Sequence, residues 1–385
     1  MALFEYFPNY VWNLSVAIAL ECGGKIGEIM DMCAPIRDAA DRGADIGTAA
    51  FLAEWVKTAD KLAGLADEDE ARGRLFSAGD KLKRASLYFQ TAERMQGHGH
   101  AGRVETYAKA LDAFARGVRF SADPVTRVVI PYAGSTLSAL WTPAPGPGRK
   151  PAVVYCNGLD STKEILWFTA LPAALAKRGI SSLCIDQPGT GEALRLKNLP
   201  ATHESERWAS ACVDWLIARD DIDAARLGMT GISLGGYFAP RAVAFEPRFA
   251  SGAAWGANHN WAEVQQSRLR REGENPVPHY WDHVMWVFGA QNMEEFHANS
   301  AGMTLDGVLD RIRVPYLITH GAADRQIALD YAHQSFAQLV NSPRRELKIF
   351  TSREGGVEHV GADNLSFGRE YIADWFAETL GGNTA

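Results

Sequence analysis

The sequence predicts an α/β fold. A mostly parallel sheet carries helices on both faces, with a helical N-terminal region ahead of it and a helical insertion within it. Three observations predict it. From about residue 150 onward, short β-branched runs alternate with helical stretches, the pattern of strands joined by helical crossovers. One of those runs, Arg226-Leu227-Gly228-Met229-Thr230, turns into a helix through Gly231-Ile232-Ser233-Leu234-Gly235. Finally, the first 121 residues are rich in alanine, leucine, lysine and glutamate and nearly lack proline.

Residues 1–121 are therefore expected as a helical cap or interaction region. The stretches from Ala49 to Leu62 and from Leu82 to Met95 place apolar residues at helical spacing, and Gly97-His98-Gly99-His100 reads as a loop. The character changes near Ser121-Ala122-Asp123-Pro124. Residues 122–256 then form the first part of the sheet domain, opening with a hairpin around Tyr132-Ala133-Gly134-Ser135. Strands follow at Pro151–Cys156, Ser181–Asp186, Arg226–Thr230 and Ser251–Trp255, with helices at roughly Leu166–Arg178, His203–Ala218 and after Ser233. Pro240 is expected near the first turn of that last helix. Residues 257–310, rich in aromatics and charge, break the alternation and read as a lid inserted over the carboxyl edge of the sheet. Residues 311–385 resume it with the strands Val314–Thr319 and Glu346–Phe350 and a last helix near Phe367–Thr379.

Composition sets limits. The chain has 385 residues, 47% hydrophobic and 22% charged, enough for a large core and more than one domain. A net charge of -7 without a basic stripe argues against nucleic acid as a partner. Five scattered cysteines with no C-x-x-C pair fit neither a disulfide framework nor a zinc site, and suit a reducing cytoplasm. The apolar stretch Val11–Leu20 is about half the length a bilayer requires, so no membrane is expected. His279 and His283 stand four apart, but no catalytic glutamate accompanies them, and no metal and no cofactor are expected.

The chemistry centres on Ser233. Strand, G-x-S-x-G, helix is the setting of a nucleophile elbow: flanking glycines let the backbones pass closely, and the helix directs N–H groups at developing negative charge. A serine hydroxyl needs a base, and the base needs a carboxylate to orient it. With such an elbow the partners follow in the order serine, acid, histidine, each after a strand. Asp324 follows the strand ending at Thr319, and His359 is the one histidine among ten that follows the last strand. An oxyanion hole would take one N–H from Leu234 and a second from Leu159, with Gly158 permitting close approach. The same loop also reads as a helix start with Ser161 and Glu164 as a capping box.

Three stretches together resemble the esterase FrsA-like branch of the α/β-hydrolases. They are Gly158-Leu159-Asp160-Ser161-Thr162-Lys163-Glu164, Asp186-Gln187-Pro188-Gly189-Thr190-Gly191-Glu192 and Gly231-Ile232-Ser233-Leu234-Gly235-Gly236. The branch is similar to this chain from about Ser121 onward and also has a helical N-terminal region. The resemblance implies a Ser233-Asp324-His359 triad. It also implies hydrolysis of a C–C bond beside a ketone, or of an ester, in a small aromatic or polyketide-like substrate. A homodimer through the helical region is expected by resemblance alone. His259 and Glu263 are the candidates for an additional acid, and Asp160, Trp255 and Trp281 for substrate contacts. The tryptophans Trp255, Trp261, Trp281 and Trp286 are expected either to line a pocket or to form core. A partner-binding protein on the same fold remains the non-enzymatic alternative.

Overall fold

The computed structural model describes residues 5–8, 10–37, 44–269 and 279–384. They divide into two compact units: residues up to 125 together with 279–284, and residues 126–269 together with 285–384. The segment 257–310, expected as one lid, is thus divided between the units, and its residues 270–278 lie outside the described residues.

The first unit is built on helices Tyr10–Glu21, Ile26–Cys33, Ala44–Ala71, Leu75–Arg94 and Arg103–Ser121. Its core is a chain of rings in which Trp12, Phe51, Trp55 and Tyr88 follow one another at centroid distances of 5.0, 4.7 and 5.6 Å. The last two helices approach closely at glycine. A Cβ on Gly117 would lie 2.9 Å from Lys83 Cγ, which a close-packed pair cannot absorb without shifting.

The second unit contains one eight-stranded sheet: β1 Thr126–Tyr132, β2 Ser135–Thr142, β3 Lys150–Cys156, β4 Ser181–Ile185, β5 Ile222–Ile232, β6 Phe249–Trp255, β7 Tyr316–Gly321 and β8 Arg345–Phe350. The order is β1-β2-β4-β3-β5-β6-β7-β8. β2 is antiparallel to both β1 and β4, and every other pairing is parallel. The hairpin between β1 and β2 turns through Ala133 and Gly134, both at positive φ, the geometry a two-residue connection needs. β3, β4 and β7 are buried almost from end to end, as expected of parallel strands covered on both faces. The register matters most for function. Cys156 pairs with Gly231, Ile232 with Trp255, Trp255 with Thr319, and Gly321 with Phe350. The loops after β3, β5, β7 and β8 therefore all leave the sheet at one carboxyl edge. The final helix, Leu365–Leu380, packs behind that sheet. The indole of Trp375 donates to Gly252 O at 3.1 Å, and a Cβ on Gly228 would meet Phe376 at 2.7 Å.

One local expectation is corrected. The helix expected over Leu166–Arg178 is two, Lys163–Phe168 and Leu171–Lys177, because Ala170 takes a left-handed φ of 61° and Pro172 opens the second piece. Pro240 sits inside the helix Gly235–Phe245, just past its first turn, where it cannot donate to the carbonyl four residues before it. Among the described residues no helix is long and apolar enough to cross a membrane, and no cluster of three or more His, Cys, Asp or Glu could hold a metal ion.

Candidate active site

Ser233 stands at the turn between β5 and the helix Gly235–Phe245, at a φ of 59°. A left-handed non-glycine residue costs on the order of 1–3 kcal/mol and persists only where its surroundings hold it. Here Ser233 N–H donates to Trp255 O at 2.9 Å, and Gly236 N–H donates to Ser233 O at 2.8 Å. The glycines are steric necessities. A Cβ on Gly231 would collide with Gly235 O, and one on Gly236 would collide with Gly256 O. One on Gly158 would lie 2.8 Å from Ser233 Cβ, so the loop after β3 passes directly against the serine.

His359 is buried in the loop after β8, with Nε2 2.8 Å from Ser233 Oγ. The carboxylate of Asp363 shapes this loop by accepting three N–H groups: Gly356 at 2.9 Å, Val357 at 3.1 Å and Glu358 at 2.9 Å. The loop also touches the end of β7, where a Cβ on Gly321 would strike Val357 O and Ala323 N–H donates to that same oxygen at 2.9 Å.

Asp324 completes the line. Its Oδ2 is 2.9 Å from His359 Nδ1, and its Oδ1 accepts the N–H groups of Gln326 and Ile327 at 2.7 and 2.9 Å. Burial pushes this carboxyl up. The adjacent His359 ring, His320 and the Ile327 N–H more than offset it, so the group lies below its ordinary value. His320 is buried beside it. Its Nδ1 accepts Ala257 N–H at 3.1 Å, so Nε2 carries the proton and donates to Ile327 O at 3.0 Å. Burial holds His320 below its ordinary pKa, in the neutral form that this pairing needs. Around the line a further ion pair, Arg325 with Glu358 at 3.3 Å, joins the neighbour of the acid to the neighbour of the histidine.

Opposite His359, the loop after β3 begins at Asn157. Its N–H donates to Gln187 Oε1 at 3.1 Å, and Gln187 Nε2 donates back to Asn157 O at 3.0 Å. Leu159 follows Gly158 here, and Leu234 follows the serine. The capping box expected of Ser161 and Glu164 does not form. Thr162 caps the helix by accepting Ile165 N–H at 3.3 Å, while Glu164 pairs with Lys163 at 2.7 Å.

The candidate pocket residues are dispersed. Asp160 is buried at a φ of 49° and pairs with Arg195 at 2.9 Å; the Arg195 guanidinium lies 5.6 Å from the Trp286 ring centre. Trp255 is an interior residue, its indole against Gly368 of the final helix, and it lines a small cavity with Gly256, Thr319, His320 and Val360. His259 is fully buried, and both ring nitrogens are engaged as in a latch, Nδ1 with Ser335 Oγ at 2.9 Å and Nε2 with Asp306 Oδ1 at 2.9 Å. Glu263 is exposed in the first turn of the helix Trp261–Arg268, capped by Asn260 and bonded to Tyr331. Trp281 lies in the other unit, edge-on to Tyr280 at 5.2 Å. Trp261 stacks on Phe288 at 4.9 Å and meets Phe296 at 5.8 Å, a small aromatic core. Sequence reasoning missed His320, Asp363 and the Arg325–Glu358 pair. Only adjacency to the acid or to the histidine loop marked them.

Comparison with known proteins follows the same lines. Residues 48–261 match the family described as esterase FrsA-like, and residues 168–383 match the prolyl oligopeptidase family. The chain is 30% identical over 336 residues to 2,6-dihydropseudooxynicotine hydrolase of Paenarthrobacter nicotinovorans, covering 85% of this chain and 83% of the relative. It is 28% identical to 20-hydroxy-prefusarin hydrolase of Gibberella moniliformis, covering 78% of each. A solved 2,6-dihydroxy-pseudo-oxynicotine hydrolase aligns with a TM-score of 0.76, over 94% of this chain and 95% of its own, at 24% identity. That likeness is one of fold.

Proposed function

The chain belongs to the esterase FrsA-like family of α/β-hydrolases, and from that premise we propose that it is a serine hydrolase in which Ser233, His359 and Asp324 act as nucleophile, base and orienting acid. One observation carries the reading: the hydroxyl, the imidazole and the carboxylate stand in line at 2.8 and 2.9 Å. The Ser233 proton passes to His359 Nε2 as Oγ adds to a substrate carbonyl carbon. Asp324, kept ionised, holds the ring and balances the imidazolium. The amides of Leu159 and Leu234 receive the oxyanion. Collapse expels the leaving group, which takes the proton from His359, and water then hydrolyses the acyl-serine by the same route.

The reaction we favour is cleavage of a C–C bond beside a ketone in a small aromatic or polyketide-like molecule. Two things support it: the resemblance drawn from the three sequence motifs, and relatives named as hydrolases of 2,6-dihydropseudooxynicotine and 20-hydroxy-prefusarin. The expelled carbon leaves as an enolate or phenolic ring, since an undelocalised carbanion is too basic to depart. Labelling with a fluorophosphonate tests the nucleophile. Ser233→Ala is expected to abolish labelling and to lower turnover by about 10⁴-fold or more. Equal labelling of variant and parent overturns the assignment. Assays of aryl β-diketones beside short aryl esters test the bond. Efficient ester turnover with inert diketones removes the C–C reading and leaves a carboxylesterase.

A further inference from the structure

Two of the three sequence motifs, Gly158–Glu164 and Asp186–Glu192, carry charged residues that the triad does not use. The structure brings them together. Lys163 is wholly buried, and its Nζ lies 2.7 Å from Glu164 Oε1, 2.9 Å from Asp186 Oδ2 and 2.8 Å from Glu192 Oε1. An ammonium has three N–H donors, and here three carboxylates accept them. Asp186 binds both loops: its Oδ1 accepts Lys163 N–H at 2.7 Å, and its Oδ2 also accepts Glu192 N–H at 2.9 Å. Gly191 cannot be any other residue, because a Cβ there would overlap the Asp186 carboxylate, and its N–H donates to Ser161 O at 3.2 Å. Glu192 extends the cluster to the first hairpin through Arg127 at 2.6 Å and Ser138 at 2.9 Å.

We propose that Lys163 is a positioning residue for the oxyanion hole. It anchors the far end of the loop whose Leu159 amide receives the oxyanion. The loop after β3 is pinned at both ends to the loop after β4, at Asn157 by Gln187 and at Lys163 by Asp186. Between the pins lie Gly158, packed on Ser233, and Leu159. A buried cluster of one ammonium and three carboxyl groups is a poor source of stability, because desolvation offsets the attraction and apolar side chains of equal volume would serve as well. What it supplies is direction. Each bond fixes an angle, and hole donors act only when aimed at the developing oxyanion. Arginine would not substitute, since its planar fork cannot meet three carboxylates at one point.

The inference rests on the triad and oxyanion reading given above, and the test separates the two. With a short aryl ester as substrate, Lys163→Met is expected to lower kcat by about 30- to 100-fold with KM changed less than about threefold, the scale of a misaimed hole donor. Affinity for an aryl trifluoromethyl ketone, which mimics the tetrahedral intermediate, is expected to fall by the same factor as kcat/KM. Merely structural damage would lower the thermal midpoint and the active fraction while leaving ketone affinity of the folded fraction intact. Should Lys163→Met not fold, the isosteric Glu192→Gln carries the test, with an expected kcat loss of about 5- to 10-fold and a matching loss of ketone affinity. A folded variant of either kind with kcat and ketone affinity within about twofold of the parent overturns the proposal. If Ser233→Ala itself retains turnover, the underlying reading fails instead.

Discussion

The turn at Ser233 and the described part of 257–310 are held together by opposite means. Around Ser233 the work is steric. Gly158, Gly231, Gly235 and Gly236 leave room for backbone to pass backbone, and the serine is forced into a left-handed φ. In the described part of 257–310 the work is polar and aromatic. His259 bridges Ser335 and Asp306, Asn260 caps a helix, and three rings pack into a local core. The difference teaches how each must be read. Steric necessity leaves a local signature, because only glycine satisfies it. A polar latch leaves none, because a histidine that ties two segments has the same letter as one that moves a proton.

Breaking the steric side should have the largest effect. Gly236→Ala would drive a methyl group into Gly256 O, backbone that cannot swing aside. The expected loss is about 3 kcal/mol or more, or no soluble folded protein, and urea denaturation reads it. A variant of near-parental stability would show that the elbow is looser than the glycine pattern implies.

Breaking the latch should cost less and spare the chemistry. His259→Ala removes a fully buried ring and leaves Ser335 without its imidazole partner. The expected cost is about 2 kcal/mol in the same denaturation measurement, with kcat within about twofold. A hundredfold fall in kcat at unchanged KM would return His259 to the candidate acids and blur the contrast between the two regions.

The smallest effect sharpens the comparison by adding pH. Burial pushes the Glu192 carboxyl up, but Arg127 and Lys163 bring it down from its ordinary 4.5 to about 2. Its folded value is therefore below its unfolded one. The stabilisation is complete above about pH 4.5 and is lost as pH falls through about 2. Urea midpoints of the parent should fall across that window, and those of Glu192→Gln should fall less steeply. Identical slopes would mean that the charge at Glu192 is not what holds the cluster.

The proposed triad was legible because its members obey positional rules. Ser233 sits in a glycine-framed turn, while Asp324 and His359 each follow a strand that periodicity reveals. The surroundings of the candidate substrate contacts were not legible in this way. Trp255 both lines a small cavity and packs its indole against Gly368, and Glu263 has the chemistry of an acid yet faces solvent. Lys163 stood in view within a motif, but nothing in one dimension states that its partners lie at Asp186 and Glu192.

By itself, then, the sequence determined the alternation of strands and helices, the turn that only glycine permits, and the chain order of Ser233, Asp324 and His359. These depend on residues near each other in the chain, where period and steric size act directly. Tertiary structure alone decided which distant side chains meet. Parallel register set Cys156 beside Gly231 and Gly321 beside Phe350, and so delivered four loops to one edge. Whether a buried charge finds its counter-charge depends on that register, because desolvation penalises every arrangement in which it does not.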